Sequence, residues 1–114
     1  MHRPFPNVEV FRAISSPTRR ALLDKLSSRE QSVQRLAASF QMTLPAVSQQ
    51  LAVLRQAGLV TSRRAGRWRV YRLNAEPLRD VMTWLKTYER FFAVRLPELR
   101  QDLQQAAGED MRWR

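Results

Sequence analysis

Apolar positions recur every three or four residues through the first half of the chain, which is the spacing of one helix face. The stretch NVEVFRAI predicts a first helix with Asn7 as its cap. SSPTRRALLDKL predicts a second, capped by Ser16 with proline at its first position, and SVQRLAASF predicts a third, capped by Ser32. The apolar residues expected to be buried are Val8, Phe11, Ile14, Leu22, Leu23, Leu26, Val33, Leu36, Ala37 and Phe40.

The segment TLPAVSQQLAVLRQAG predicts a fourth helix, with Thr43 as its cap and Gly58 just past its end. Val47, Leu51 and Leu54 follow the spacing i, i+4 and i+7 and define its core side. The third and fourth helices are short and joined by about three residues, which is the helix-turn-helix pattern.

The spacing then changes to that of β-strands. LVTSRR and RWRVYRL are rich in β-branched and aromatic residues and meet at Ala65-Gly66, where glycine suits a tight turn. In the second strand, Tyr71 and Leu73 are expected to face the body of the protein. A hairpin directly after a helix-turn-helix predicts a winged-helix arrangement.

The last apolar stripe runs from Leu78 to Leu103 in steps of three and four, which predicts one long helix capped by Asn74. Such a helix carries more apolar surface than the preceding body can cover, so the surplus predicts a dimer interface. Pro97 falls within the stripe and is expected to kink or divide the helix.

These elements predict a mainly α fold with a β-hairpin wing and one domain over residues 8–105. Residues 1–7 are expected to form a flexible arm and residues 106–114 a frayed tail. The chain has no apolar run near 18 residues and no signal-peptide pattern at its start, which favours a cytoplasmic protein with no membrane partner.

Residue composition argues against an enzyme and against a metal site. The chain has no cysteine, only three glycines, and His2 as its single histidine. We find no Ser-His-Asp set, no paired carboxylates in an apolar setting and no glycine-rich phosphate loop, so neither catalysis nor a cofactor is expected.

Positive charge is concentrated in one part of the chain. The formal net charge is +10, yet residues 31–75, between Glu30 and Glu76, contain no acidic residue. Such a distribution indicates an anionic partner, which could be a nucleic acid, an anionic membrane or an acidic protein. The arginines of this stretch are Arg35, Arg55, Arg63, Arg64, Arg67, Arg69 and Arg72.

The segments FRAISSPTRRALLDKL, LPAVSQQLAVLRQAGLV and RRAGRWRVYRLN resemble, in order and spacing, the ArsR-type (ArsR/SmtB) winged-helix repressors. The resemblance implies the order α-α-α-α-β-β-α, a homodimer joined through the first and last helices, and repression by binding operator DNA. The stretch WLKTYERFF resembles the branch whose members lack metal ligands, and the absent cysteines depart from the metal-sensing members. The dimer candidates are Phe11, Val81, Trp84, Leu85, Tyr88, Phe91 and Phe92.

The fourth helix is the predicted recognition helix, because its first turns can enter the major groove of DNA. Gln49 could bond adenine N6 and N7 together, and Thr43 at the cap suits a phosphate. The alternative is that these polar residues are ordinary solvated positions. The candidate DNA contacts are Thr43, Leu44, Pro45, Ser48, Gln49 and Gln50.

The wing is expected to hold phosphates, with a tip residue able to enter the minor groove; the alternative is a solvated run of charge. Trp68 is expected to pack against protein, in its own chain or in a dimer. Ser32 and Gln34 are candidate backbone contacts, although Ser32 could serve as a cap alone. The wing candidates are Arg63, Arg64, Arg67 and Arg69.

The leading functional prediction is a homodimeric repressor that binds an inverted-repeat operator in double-stranded DNA. The resemblance implies that such a repressor commonly acts on its own gene. A small-molecule inducer is compatible with the sequence, which does not identify one. The alternatives are a nonspecific nucleic-acid-binding protein and a winged-helix dimerisation module for a protein partner.

Overall fold

The computed structural model of the chain describes residues 8–92 and Leu103. They fall into two compact units, one through Met82 and one from Thr83. The predicted arm at residues 1–7, Pro97 and the predicted tail at residues 106–114 lie outside the described residues. The elements are α1 (Val8–Ala13), α2 (Pro17–Ser28), β1 (Gln31–Ser32), α3 (Val33–Phe40), α4 (Leu44–Gln56), β2 (Val60–Ala65), β3 (Trp68–Leu73), a 3₁₀ turn (Glu76–Leu78), α5 (Arg79–Lys86) and a second 3₁₀ turn (Glu89–Phe91).

Three helices begin at the caps predicted from the sequence. Ser16, Ser32 and Thr43 each have extended backbone, and the side-chain oxygen of each accepts a hydrogen bond from the N–H three residues later. Each bond satisfies a backbone donor that the first turn of a helix leaves without an intrahelical partner.

The two helices of the helix-turn-helix end in the same way. After α4, Gly58 has φ +77°, and the N–H of Leu59 donates to the Leu54 carbonyl at 2.9 Å. After α3, Gln41 has φ +53°, and the N–H of Met42 donates to the Ala37 carbonyl at 3.0 Å. Both are left-handed ends of the Schellman type, which glycine adopts without strain and other residues do not. Gln41 therefore carries backbone strain that Gly58 avoids.

The sheet has three strands in the order β1-β3-β2, all antiparallel. The short strand β1 is not predicted by the sequence, and it pairs Gln31 with Tyr71. Because Ala65 pairs with Trp68, the hairpin turn is centred on Gly66-Arg67 and the predicted centre at Ala65-Gly66 is wrong. Gly66 has φ +64° while Arg67 does not have positive φ, which is the pattern of a type II′ turn.

The core of the first unit is formed by the inward faces of α1–α4 and the base of the hairpin. Tyr71 is 8% exposed and Leu73 packs on the same core, as predicted. The fully buried large side chains are Leu22, Leu36, Leu51, Leu54, Leu59, Val10, Val47 and Val60.

The predicted inward face of α1 is wrong in part. Val10 and Ala13 are buried, whereas Val8 is 62% exposed and Phe11 is only half-buried. Ile14 lies beyond the end of the helix at Ala13, but it packs against the core as predicted. α1 packs on α4, and Val10 and Ala13 belong to the buried core.

The predicted long C-terminal helix is also wrong in its first part, because α5 ends at Lys86. The Thr87 hydroxyl and N–H both donate to the Trp84 carbonyl, at 2.7 and 3.1 Å. The N–H of Tyr88 then donates to Leu85, three residues back, so the chain tightens into 3₁₀ geometry and becomes extended at Phe92. At the other end, a 3₁₀ turn precedes α5.

Asn74 does not cap α5 as predicted. Its side-chain amide donates to the Gly58 carbonyl at 2.8 Å, and its side-chain oxygen accepts from the Glu76 N–H at 3.4 Å. Asn74 therefore fixes the end of β3 against the end of α4. In the described part of the chain, every helix is too short or too polar to serve as a membrane span.

Candidate nucleic-acid interface

The helix α4 separates cleanly into a buried and an exposed face. Val47, Leu51 and Leu54 are completely buried, as their spacing predicts. The predicted DNA contacts Leu44, Pro45, Ser48 and Gln49 are exposed on the first turns of the helix. The buried side of α4 fixes the helix on the core, and its N-terminal turns present these exposed side chains to solvent. This is the end of the helix that is expected to enter a major groove.

Thr43 and Gln50 differ from the other candidates because both already make hydrogen bonds within the protein. The Thr43 hydroxyl oxygen accepts from the Ala46 N–H at 3.2 Å, which leaves its O–H free to donate to a phosphate. Gln50 is half-buried, and its side-chain oxygen accepts from Arg19 Nη1 at 3.0 Å.

The two candidate backbone contacts at the start of α3, Ser32 and Gln34, are less available for binding DNA than the exposed residues of α4. The Ser32 hydroxyl oxygen accepts from the Arg35 N–H at 3.2 Å, which is the predicted capping role. Gln34 is half-buried, and its Oε1 atom is enclosed without a hydrogen-bond partner in the described part of the chain. Contact between these residues and a DNA backbone stays a prediction.

The strand register assigns the wing arginines to two faces of the hairpin. Arg64 and Arg69 occupy directly opposite positions on the face that also carries Tyr71, while Arg63 opposes Val70 on the other face. Arg67 lies in the turn, and all four arginines are exposed. Two like charges directly opposite each other destabilise a sheet, so the Arg64–Arg69 pair is favoured when an anion lies between the side chains.

The fold neutralises one wing arginine in a way that the sequence does not reveal. Arg63 Nη2 lies 2.6 Å from Glu30 Oε1, and both side chains are substantially exposed. The sequence stretch around the arginines lacks acids, but β1 brings Glu30 to the outer face of the hairpin. Only the pairing of strands far apart in sequence could have identified this contact.

Trp68 is not part of the buried core of the described residues. It is 47% exposed, and it pairs with Ala65 next to the turn. Packing of Trp68 against protein, in its own chain or in a dimer, stays a prediction.

The dimer candidates fall into two groups. Val81 packs on the core of the first unit and Phe11 is half-buried, so both have internal contacts. In the second unit the described aromatic side chains are exposed, from 43% for Trp84 to 67% for Phe91. Tyr88 lies between these two rings, with centroids 5.5 Å from Trp84 and 6.2 Å from Phe91. The exposed large apolar residues of this group are Trp84, Leu85, Tyr88, Phe91 and Phe92.

Comparison with known proteins assigns this architecture. The family model described as bacterial regulatory protein, arsR family, matches residues 16–62, from the cap of α2 into β2. The transcriptional repressor SdpR of Bacillus subtilis is 35% identical over 79 residues, which are 69% of this chain and 88% of the relative. The chain belongs to the arsR family.

Solved structures agree with this assignment. A possible transcriptional regulator for arsenical resistance shares 38% identity and a TM-score of 0.65, over 84% of this chain and 97% of the other. The homodimeric winged helix-turn-helix DNA-binding domain Mb0332 of Mycobacterium bovis, a possible ArsR-family regulator, has 28% identity and a TM-score of 0.59, over 73% and 79% of the two chains.

The arsR-family protein is therefore a transcriptional regulator with a winged helix-turn-helix DNA-binding fold, and not an enzyme. The resemblance seen in the sequence is confirmed. In the described part of the chain, no cluster of His, Cys, Asp and Glu is placed to hold a metal ion.

Proposed function

We propose that this arsR-family protein is a homodimeric repressor that binds an inverted-repeat operator through α4 and the wing. The observation that carries the proposal is the exposed start of α4, where Ser48 and Gln49 stand opposite a fully buried apolar face. Such a helix offers base contacts from a fixed position, which a nonspecific binder does not need.

The roles of the two elements differ. The exposed Gln49 amide makes no hydrogen bond among the described residues and can both donate and accept, so it suits the N6 and N7 atoms of adenine. The wing arginines suit phosphate oxygens, since guanidinium groups match them in geometry and charge. Arg64, Arg69 and Arg67 therefore supply affinity, while Ser48 and Gln49 supply preference for sequence.

The dimeric state is supported by the exposed aromatic side chains of the second unit and by the homodimeric relative from Mycobacterium bovis. A dimer is expected to space its two α4 helices by about one turn of DNA, roughly 34–36 Å. Because the proposed ligand is operator DNA, we assign the protein to the cytoplasm. A small-molecule inducer remains a prediction from the resemblance.

The test is selection of bound DNA from a random pool, followed by titrations of the selected site at several salt concentrations. With about 6–10 phosphate contacts, affinity falls by about 10³–10⁵ between 50 and 200 mM salt. Gln49→Ala is expected to lose about 1–3 kcal/mol of discrimination at one base pair, and Arg64→Gln to weaken all sequences alike. Selection of no shared site, or an inverted repeat bound by a monomer, would refute the proposal.

A further inference from the structure

Arg19 connects the recognition helix to the end of α1. Its guanidinium makes three hydrogen bonds to three different residues. Nε donates to the Ala13 carbonyl at 2.7 Å, Nη2 to the Arg12 carbonyl at 3.1 Å, and Nη1 to Gln50 Oε1 at 3.0 Å. The side chain is half-buried, so these bonds are partly shielded from water.

The first two bonds fix Arg19 independently of Gln50. They satisfy carbonyl groups at the C-terminal end of α1, where a cation is also favoured by the helix dipole. These two bonds orient the planar guanidinium, so that its third donor, Nη1, is directed at Gln50. Within residues 8–92, the side chain of the neighbouring Arg20 donates to one partner, the Ile14 carbonyl at 2.7 Å, and it is exposed.

The third bond determines how Gln50 can act. Because its oxygen accepts from Arg19, the amide plane is fixed, and Nε2 carries the two hydrogens available for another partner. No hydrogen bond from Nε2 occurs within residues 8–92. Gln50 directly follows Gln49 on α4, at the edge of its exposed face.

We propose that Arg19 is a positioning residue that makes Gln50 a hydrogen-bond donor to an acceptor on a base edge of the operator. Guanine, with O6 and N7, and thymine, with O4, present acceptors in the major groove. Adenine also presents N7, but recognition of its N6 amino group as well would need a second hydrogen bond to the oxygen that already accepts from Arg19. Gln49, with both amide atoms available, and Gln50 thus recognise different bases. The inference rests on the proposed function, since it assumes that α4 enters a major groove.

The first test compares base preferences selected from random DNA by the full chain and by four variants. Gln50→Met identifies the base pair that residue 50 contacts, as the position where preference is lost. Arg19→Met and Arg19→Lys are expected to weaken the guanine or thymine preference at that same pair by about two- to tenfold. Arg20→Met removes a neighbouring charge and leaves the preference unchanged.

Arg19→Lys is the decisive variant because lysine retains the positive charge but lacks the planar guanidinium that makes the three hydrogen bonds. If Arg19 only attracted phosphate, the lysine would restore the parent preference, and the proposal would be overturned. The same holds if Arg19→Met lowers affinity for every sequence equally, or if its effect adds fully to that of Gln50→Met.

A second variant keeps the proposal testable if Arg19→Met does not fold. Gln50→Glu preserves the acceptor for Arg19 and removes both amide donors. The preference at that base pair should then move from guanine or thymine to cytosine or adenine, which present amino groups. An unchanged preference in Gln50→Glu overturns the inference alone, whereas a parent chain without any sequence preference overturns the proposed function.

Discussion

Gln41→Gly is expected to stabilise the protein. Gln41 is the non-glycine residue with positive φ among the described residues, at +53°, and its side chain is exposed. A left-handed conformation costs a non-glycine L-residue about 1–2 kcal/mol. Glycine avoids this cost, but it loses more conformational entropy on folding than alanine does, which costs about 0.5–1 kcal/mol. The difference predicts a rise of about 0.5–1 kcal/mol in the free energy of unfolding.

The same fold contains a matched control at the end of α4. Gly58 has φ +77°, and an added Cβ would lie 3.6 Å from Pro77 Cγ, an ordinary contact distance. Gly58→Ala therefore measures the cost of positive φ at a non-glycine residue, without a steric clash from the added Cβ. We expect it to lower the free energy of unfolding by about 1 kcal/mol.

Urea unfolding at one fixed protein concentration measures both changes, since association makes the apparent stability depend on concentration. With a slope of about 1–1.5 kcal/mol/M, Gln41→Gly should raise the midpoint by about 0.3–1 M and Gly58→Ala should lower it. An unchanged or lower midpoint for Gln41→Gly, beside a destabilised Gly58→Ala, would show that the strain at residue 41 is relieved in solution.

Three further predictions follow from single contacts. Glu30→Gln releases Arg63 and should tighten DNA binding and steepen the salt dependence by about one unit, with stability changed by less than about 1 kcal/mol; unchanged titrations would contradict this. Leu54→Ala should cost about 2–5 kcal/mol in urea unfolding, and a cost below about 1 kcal/mol would argue against its full burial. Thr43→Ala should cost about 1 kcal/mol in thermal unfolding, while Thr43→Ser, which keeps the bond to Ala46, should cost less.

The helix-turn-helix was predictable because its signals are local. The caps Ser32 and Thr43, the stripe from Val47 to Leu54, and Gly58 all act within a few residues of their own helix. The same holds for the alternation that turns Tyr71 inward. Each of these signals lies within or next to the element that it defines, so it can be recognised without knowledge of the tertiary fold.

The errors arose where a distant contact or a competing bond decided the outcome. The ion pair between Glu30 and Arg63 depends on β1, a strand of two residues with no periodic pattern. The face of α1 depends on its packing against α4. The end of α5 depends on the Thr87 hydroxyl, which bonds the Trp84 carbonyl within an apolar stripe that favours a longer helix.

For the candidate site, the sequence identified which elements carry the exposed polar residues but not how those residues are partnered. It could not show that Gln50 is bonded to Arg19, because the two are 31 positions apart. Nor could it separate Arg64 and Arg69 from Arg63, since the faces of a hairpin depend on the exact turn.

The pairing of Gln31 with Tyr71 has a consequence for how the chain folds. These residues enclose the whole helix-turn-helix, so a loop of about forty residues must close before the pair can form, and such long-range pairing slows folding. A shortened chain ending after α4 would lose Tyr71 and the partner of β1. The helix-turn-helix therefore does not fold independently of the wing, and we expect both to unfold in one cooperative step.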